Sequence, residues 1–86
     1  MSATLTPATS LMTLDQLAPG QSARIIRIEG VDGISSRLRE MGFIAGELVQ
    51  YIRRAPFKGP VNCGVAGARI AVRDGEARRV EVEVVG

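Results

Sequence analysis

Residues 61–72 read VNCGVAGARIAV, and this stretch decides the kind of fold that we expect. Apolar side chains recur at every second position on both sides of Ala66-Gly67, which is typical of two strands. A connection of only two residues forces these strands into an antiparallel hairpin, with positive φ expected at Gly67. The faces that we expect to be apolar are formed by Val61, Cys63 and Val65 in the first strand and by Ala68, Ile70 and Val72 in the second.

Three further segments have strand character, and with the hairpin they predict five strands. The first covers residues 23–29, with Ile26 and Ile28 expected on one face and Ile25 on the other. The second begins at Glu47, and the last carries Val80, Val82 and Val84 in alternation with two glutamates. Five short, mostly antiparallel strands around one apolar interior predict a mostly β fold, a small barrel.

One short helix is predicted between the first two of these strands. Asp32 is placed to cap its start, and Ile34, Leu38 and Met41 form one apolar stripe at helical spacing. Gly42 is expected to end the helix in a left-handed conformation, with Phe43 packing back on Leu38 as the Schellman motif requires. The polar residues between them, which we expect to face water, are Ser35, Ser36, Arg39 and Glu40.

The N-terminal part of the chain divides into a tail and the start of the domain. Residues 1–11 are rich in Ser, Thr and Ala, and they predict a flexible tail that precedes a domain over residues 12–86. Thr13 and Gln16 fit a capping box, which predicts a helical turn from which Leu14 and Leu17 face inward.

The composition excludes several classes of protein. The chain has 86 residues, no histidine and one cysteine, so a zinc site, a disulfide framework and an imidazole-activated nucleophile are not expected. We predict no enzymatic activity, no cofactor and no metal site. The lone cysteine and the lack of a signal or membrane-spanning segment favour the cytoplasm. Cys63 itself is expected to be a buried small hydrophobe.

Basic residues leave two interpretations open. Arg53, Arg54, Arg78 and Arg79 suggest a nucleic-acid surface, for which stacking aromatics are the usual companions. The alternative is solvated strand edges with ion pairs to Glu81 and Glu83, and we favour it because a net charge of +2 attracts phosphates weakly.

The loop of residues 56–60, PFKGP, is the strongest candidate for a contact surface. Its two prolines restrict the unbound loop, so less entropy is lost on docking. Phe57 is an unusual residue for a polar turn, and it either contacts a partner or folds back over the end of the barrel.

In their order and spacing, these segments resemble the FeoA-type ferrous-iron transport accessory proteins over residues 13–85. The matching stretches are residues 14–20, 36–43, 45–47, 54–60 and 67–73, which read LDQLAPG, SRLREMGF, AGE, RAPFKGP and GARIAVR.

The resemblance implies an SH3-like β-barrel that acts in the cytoplasm with a FeoB-type membrane transporter, whose cytoplasmic domain hydrolyses GTP. It implies docking or regulation rather than catalysis, and contact with the membrane only through the partner. Modulation of GTP hydrolysis through an arginine is an alternative, with Arg37, Arg54 and Lys58 as candidates. Homo-oligomers are a further option, formed by edge pairing of the last strand or the Ile25 strand. The residues predicted to bind the partner are Arg37, Leu38, Met41, Arg54, Pro56, Phe57, Lys58, Gly59 and Pro60.

Overall fold

One antiparallel sheet of six strands organises the chain, in the order β1-β6-β2-β3-β4-β5. The computed structural model describes residues 11–85. The strands are β1 (Leu11–Thr13), β2 (Ser22–Ile28), β3 (Leu48–Arg54), β4 (Val61–Val65), β5 (Ala68–Val72) and β6 (Val80–Val85), and the α-helices are α1 (Gly33–Glu40) and α2 (Asp74–Ala77). The predicted N-terminal turn is a 3-10 helix, Leu14–Gln16, whose capping contact runs from the Thr13 N–H to the Gln16 side chain at 2.9 Å. The mostly β fold with one short helix between β2 and β3 confirms the prediction from the sequence.

The strand β1 adds a sixth strand to the predicted five, and it changes which strands are edges. β6 lies between β1 and β2, and β2 lies between β6 and β3, so both are paired on each side. The prediction that one of them offers a free edge to a second copy is therefore wrong. The edges of the sheet are β1 and β5. Residues 1–10 of the predicted tail lie outside the described residues, while Leu11 is already part of β1.

A β-bulge in β2 corrects the predicted faces of that strand. Ile25 pairs with Val82 and Arg27 pairs with Glu81, so Ile26 is an extra residue without a partner in the register. The extra residue reverses the alternation that follows it. As a result Ile28 points into the core with Ile25, whereas Ile26 is partly exposed.

Helix α1 begins and ends as the sequence predicts. The Ser35 N–H donates to the Asp32 carboxylate at 3.1 Å, and Gly42 has a φ of +110°. The Phe43 N–H reaches the Leu38 carbonyl at 3.1 Å and the Gly42 N–H reaches the Arg39 carbonyl at 3.0 Å, which is the Schellman pattern.

The face of α1 differs from the prediction at Ser35, which is fully buried rather than exposed. Its hydroxyl donates to the Asp32 carbonyl at 2.9 Å, so burial leaves no polar group without a partner. Ile34, expected in the apolar stripe, is instead 38% exposed, because the buried side of the helix passes through Ser35 and Leu38.

The β4–β5 hairpin forms as expected. Ala66 and Gly67 have φ of +53° and +79°, as a tight two-residue turn requires. Val61, Cys63, Val65 and Val72 are buried and Ile70 packs partly against the core, but Ala68, at the start of the edge strand β5, is exposed.

The hydrophobic core lies between the inner faces of the strands and α1. Phe43 and Leu14 are among its largest fully buried side chains, and Leu17 joins them as predicted. Cys63 is fully buried, and this desolvation raises the pKa of its thiol to about 11. It is therefore a protonated, unreactive core residue at neutral pH. None of the helices in the described chain is long and apolar enough to cross a bilayer.

Candidate docking surface

The loop of residues 55–60 connects β3 to β4 and presents Phe57 to solvent. The Phe57 side chain is 98% exposed, so it does not fold back over the barrel. The loop is nevertheless held by its own backbone: the Ala55 N–H donates to the Pro60 carbonyl at 3.0 Å, and the Gly59 N–H contacts the Ala55 and Pro56 carbonyls at 3.2 and 3.1 Å. The aromatic ring is thus an exposed group on an ordered support.

Two adjacent residues of this loop adopt a backbone conformation that side chains disfavour. Phe57 and Lys58 have φ of +60° and +57°. Only glycine adopts this region without penalty, so the two residues store local strain. Gly59 follows for a different reason: a Cβ there would lie 2.7 Å from the Ala55 Cβ, so the loop closes only around glycine.

A groove separates this loop from α2 and from the exposed side of α1. We refer to it as the α2 groove; its volume is about 550 Å³. The residues that line it are Arg37, Lys58, Gly59, Pro60, Ala71, Arg73, Asp74, Gly75 and Glu76. The loop, α1 and α2, which are far apart in the sequence, therefore share one surface.

Glu76 connects the two helices on the floor of the α2 groove. One carboxylate oxygen accepts from the Arg73 N–H at 2.9 Å, and the other contacts the Arg37 guanidinium at 3.0 Å. The Glu76 side chain is only 8% exposed, whereas that of Arg37 is 58% exposed. The Glu76 carboxylate is thus largely buried, whereas the Arg37 guanidinium is exposed to solvent.

Asp74, which is also in α2, forms ion pairs with two arginines. Its two carboxylate oxygens contact Arg54 and Arg78, each at 2.9 Å. The hydrogen bond from Arg54, supported by the charge of Arg78, lowers the pKa of Asp74 below its usual value. Arg54 reaches Asp74 because a second bulge, at Ile52, places Arg54 opposite Val61 on the inner face of the sheet.

Most of the predicted contact residues meet at this surface. Arg37 and the loop residues Lys58, Gly59 and Pro60 line the α2 groove, and Arg54 supports it from below. Leu38 does not belong to the surface: its side chain is fully buried in the core, which corrects its place in the predicted set. Met41 is partly buried against the same core.

The contribution of residues 71–76 to the surface was not predicted from the sequence. Arg73 and Glu76 have the spacing of a residue before a helix and its third helical residue, which is the position of a capping contact. That spacing predicts the start of α2, but it contains no signal that α2 lies beside the 55–60 loop.

The basic residues considered for nucleic-acid binding are mostly in ion pairs, but with partners other than those predicted. Arg54 and Arg78 bind Asp74, and Arg79 contacts Asp32 at 2.7 Å. Glu81 instead contacts Arg27 at 3.4 Å. Of the three aromatic residues, Phe43 and Tyr51 are buried, which leaves Phe57 alone at the surface.

A metal site needs several carboxylate or cysteine ligands close together. Residues 11–85 contain no cluster of three such side chains.

Comparison with known proteins identifies one family model that matches the chain. Residues 12–84 match the model of the FeoA domain. A fusion protein of Fe(2+) transport protein A and the Fe(2+) transporter FeoB from Porphyromonas gingivalis is 32% identical over 74 residues. The aligned part covers 86% of this chain but only 9% of the fusion protein, so the chain spans a small fraction of that relative.

Two solved structures show the same fold at substantial identity. The iron(II) transport protein A of Clostridium thermocellum superimposes with a TM-score of 0.83 at 40% identity, covering 87% of this chain and 46% of that one. FeoA of Stenotrophomonas maltophilia, solved with zinc and described as a prokaryotic SH3 domain protein, has a TM-score of 0.75 at 38% identity. That match covers 84% of this chain and 89% of the other, so the SH3-like architecture extends over nearly the whole described sheet.

Proposed function

The chain belongs to the FeoA family, which is linked to ferrous-iron transport, and we propose that it is a cytoplasmic accessory protein that docks on the cytoplasmic part of a FeoB-type transporter. In this role it supports or regulates the transporter and has no enzymatic activity of its own. Contact with the membrane is made only through the partner.

One observation carries this proposal: in the Porphyromonas gingivalis relative, the region similar to this chain is part of the same polypeptide as a FeoB transporter. Joining two modules in one chain raises the effective concentration of each around the other, commonly to the millimolar range. A module held beside the transporter in this way can contact it through a surface of its own. We therefore assign the docking role to a surface of this chain.

The 55–60 loop and the α2 groove are the surface that supports this role best. Phe57 is an exposed aromatic on an ordered loop, and aromatic anchors dominate the energy of many protein interfaces. Because the loop is already closed by hydrogen bonds to its own backbone, little of its conformational freedom remains to be lost on binding.

The carboxylates of the groove favour binding over catalysis. Asp74 and Glu76 both contact arginines, and neither has a serine, histidine or cysteine nucleophile beside it among the lining residues. The ion pairs of Asp74 lower its pKa, which makes that carboxylate a weak general base. The arrangement suits recognition of another surface.

The proposal is tested by affinity capture of the intact transporter, in the presence of ferrous iron and nucleotide, with the full-length chain as bait. We expect Phe57→Ala and Lys58→Glu each to weaken capture at least about tenfold, as loss of a central interface residue does. Val31→Ala and Arg69→Glu are the matched controls, because Val31 is 95% exposed and Arg69 is an exposed cation on β5, outside the groove.

Failure of the unmodified chain to bind the transporter under any of these conditions would contradict the docking role. If the control variants and the loop variants capture the transporter to the same extent, the docking role stands. In that case, however, the 55–60 loop and the α2 groove are not the docking surface.

A further inference from the structure

We propose that the surface formed by Phe57 and the α2 groove receives an acidic segment of the partner protein that also carries an apolar side chain. This inference rests on the proposed function, since it names the chemistry of the partner at the same surface. It is drawn from the distribution of charge, from the burial of the acids and from the shape of the groove.

The small net charge of the molecule conceals an uneven distribution. The side chains that line the α2 groove, together with the two arginines that bind Asp74, comprise five cations and two carboxylates, a local charge of +3. The rest of the chain has six cations and seven carboxylates, a charge of −1, and the two parts together give the total of +2. The groove lining alone carries three cations and two carboxylates, and the arginines paired with Asp74 add to this positive charge.

Burial strengthens this asymmetry. The side chains of Glu76 and Asp74 are 8% and 25% exposed, whereas those of Arg37 and Arg78 are 58% and 66% exposed. An approaching partner therefore meets guanidinium groups before it meets the carboxylates beneath them. Because arginine presents a planar set of donors that matches a carboxylate, this arrangement favours acidic side chains.

Lys58 and Arg73 provide the charge that is free to engage a partner. Neither forms an ion pair with any of the residues 11–85, although both line the α2 groove. The lysine follows Phe57 directly in the loop, so a cation and an exposed aromatic residue are neighbours in the sequence. A partner segment needs both charge and apolar surface to satisfy this pair.

The lining of the groove favours a polypeptide over a nucleic acid or a bilayer. The uncharged residues that line the groove are Gly59, Pro60, Ala71 and Gly75, none of which has a long side chain that would fill it. A nucleic acid needs a continuous basic track and several stacking platforms, whereas Phe57 is the only exposed aromatic of the chain. A membrane-binding loop needs several apolar side chains at its tip, and this loop has one exposed aromatic ring.

The test uses a fluorescent peptide of alternating glutamate and leucine as the probe of the full-length chain. Fluorescence anisotropy measures affinity, and amide chemical shifts of the labelled protein locate the binding site. We expect binding that shifts residues of the 55–60 loop and the α2 groove. A peptide with lysine in place of glutamate, and one with serine in place of leucine, are each expected to bind at least about tenfold more weakly.

Two variants of the protein test whether the acidic peptide binds at this surface. Lys58→Glu combined with Arg73→Glu is expected to weaken binding of the acidic peptide at least about tenfold, since like charges then face each other. Arg69→Glu changes a similarly exposed arginine outside the groove and is expected to leave affinity within about twofold.

Several results would overturn the inference: equal affinity for the serine peptide, shifts away from the groove, no peptide binding, or tighter binding of oligothymidylate or of phosphatidylglycerol vesicles at the same salt concentration. The capture experiment above keeps the two proposals apart. A chain that binds the transporter but not the acidic peptide refutes only the inference, and one that binds the peptide but not the transporter refutes the proposed docking role.

Discussion

At the scale of single residues, the strained backbone of Phe57 and Lys58 is expected to lower the stability of the chain while these side chains contribute to binding. Phe57 and Lys58 occupy left-handed conformations without being glycine, and nothing in the packing of the core requires side chains there, since Phe57 is almost wholly exposed. Backbone strain that persists at an exposed position is typical of a functional surface. The backbone strain at Phe57 and Lys58 accompanies the exposed position of the Phe57 ring.

We predict that Lys58→Gly raises the free energy of unfolding by up to about 1 kcal/mol, because relief of the left-handed strain exceeds the added entropy of the unfolded chain. The same change is expected to weaken transporter capture, since it removes a groove cation. Urea denaturation and capture provide the two measurements.

Ala66→Gly is the matched control, because Ala66 has a φ of +53° in the β4–β5 turn, outside the α2 groove. It should give a similar stabilisation without any loss of capture. A Lys58→Gly variant that is less stable than the parent chain would contradict this account of the loop.

At the scale of secondary-structure elements, Glu76 connects α2 to Arg37 of α1, while Asp74 connects α2 to Arg54 of β3. The helix has four residues and contributes little stability by itself, but Glu76 accepts from its N-terminal backbone and binds Arg37 of α1. The contact between α1 and α2, which together form one side of the α2 groove, depends on this carboxylate.

We predict that Glu76→Gln lowers the free energy of unfolding by about 1–3 kcal/mol, because a buried charge-assisted contact is lost while an amide NH₂ now faces Arg37. Chemical denaturation measures the loss. Glu81→Gln is the control, with an expected cost below about 1 kcal/mol, because the side chain of Glu81 is 38% exposed and its pair with Arg27 is screened by water. Equal costs in the two variants would show that the contact between α1 and α2 is of minor importance.

The elements also show what the sequence could and could not predict. The limits of α1 follow from Asp32 and from Gly42-Phe43, because caps act over a few residues and leave a local signal. The bulges at Ile26 and Ile52 were not predicted, since an extra residue in a strand is defined only by the register with its neighbour. That is why the predicted face of Ile28 was wrong and the position of Arg54 opposite Val61 was not predicted.

At the scale of the whole molecule, about half of the candidate surface could be predicted. The 55–60 loop was identified because two prolines, an aromatic and a glycine are adjacent in the sequence. The residues of α2 and the Arg37–Glu76 contact were missed, because they join the loop only through the fold. A surface built from separated segments has no contiguous pattern to recognise.

The fused relative suggests a prediction about the role of the surface as a whole. If the only contribution of the 55–60 loop is binding affinity for the transporter, covalent attachment to the transporter should make the loop dispensable. We predict that a chain with Phe57→Ala and Lys58→Glu fails to support ferrous-iron uptake as a separate protein but regains most of its activity when joined to the transporter by a flexible linker. Uptake of radioactive iron by cells that lack the unmodified chain measures both arrangements.

The parent chain in its separate and joined forms provides the reference levels for that comparison. A joined variant that stays inactive would contradict a purely adhesive role. It would indicate that these side chains act on the transporter itself, as the alternative of modulated GTP hydrolysis requires.

The pairing of β1 with β6 bears on how such proteins can be rearranged. Leu11 lies opposite Glu83, so the first and last strands of the described chain run side by side at one edge of the sheet. A short linker between their outer ends would close the polypeptide into a ring, which could then be opened at the exposed Ala66-Gly67 turn. Because the outer ends of β1 and β6 are adjacent, a domain fused before β1 or after β6 would be attached at the same edge of the sheet. The order of modules along a polypeptide can thus change while the barrel stays the same.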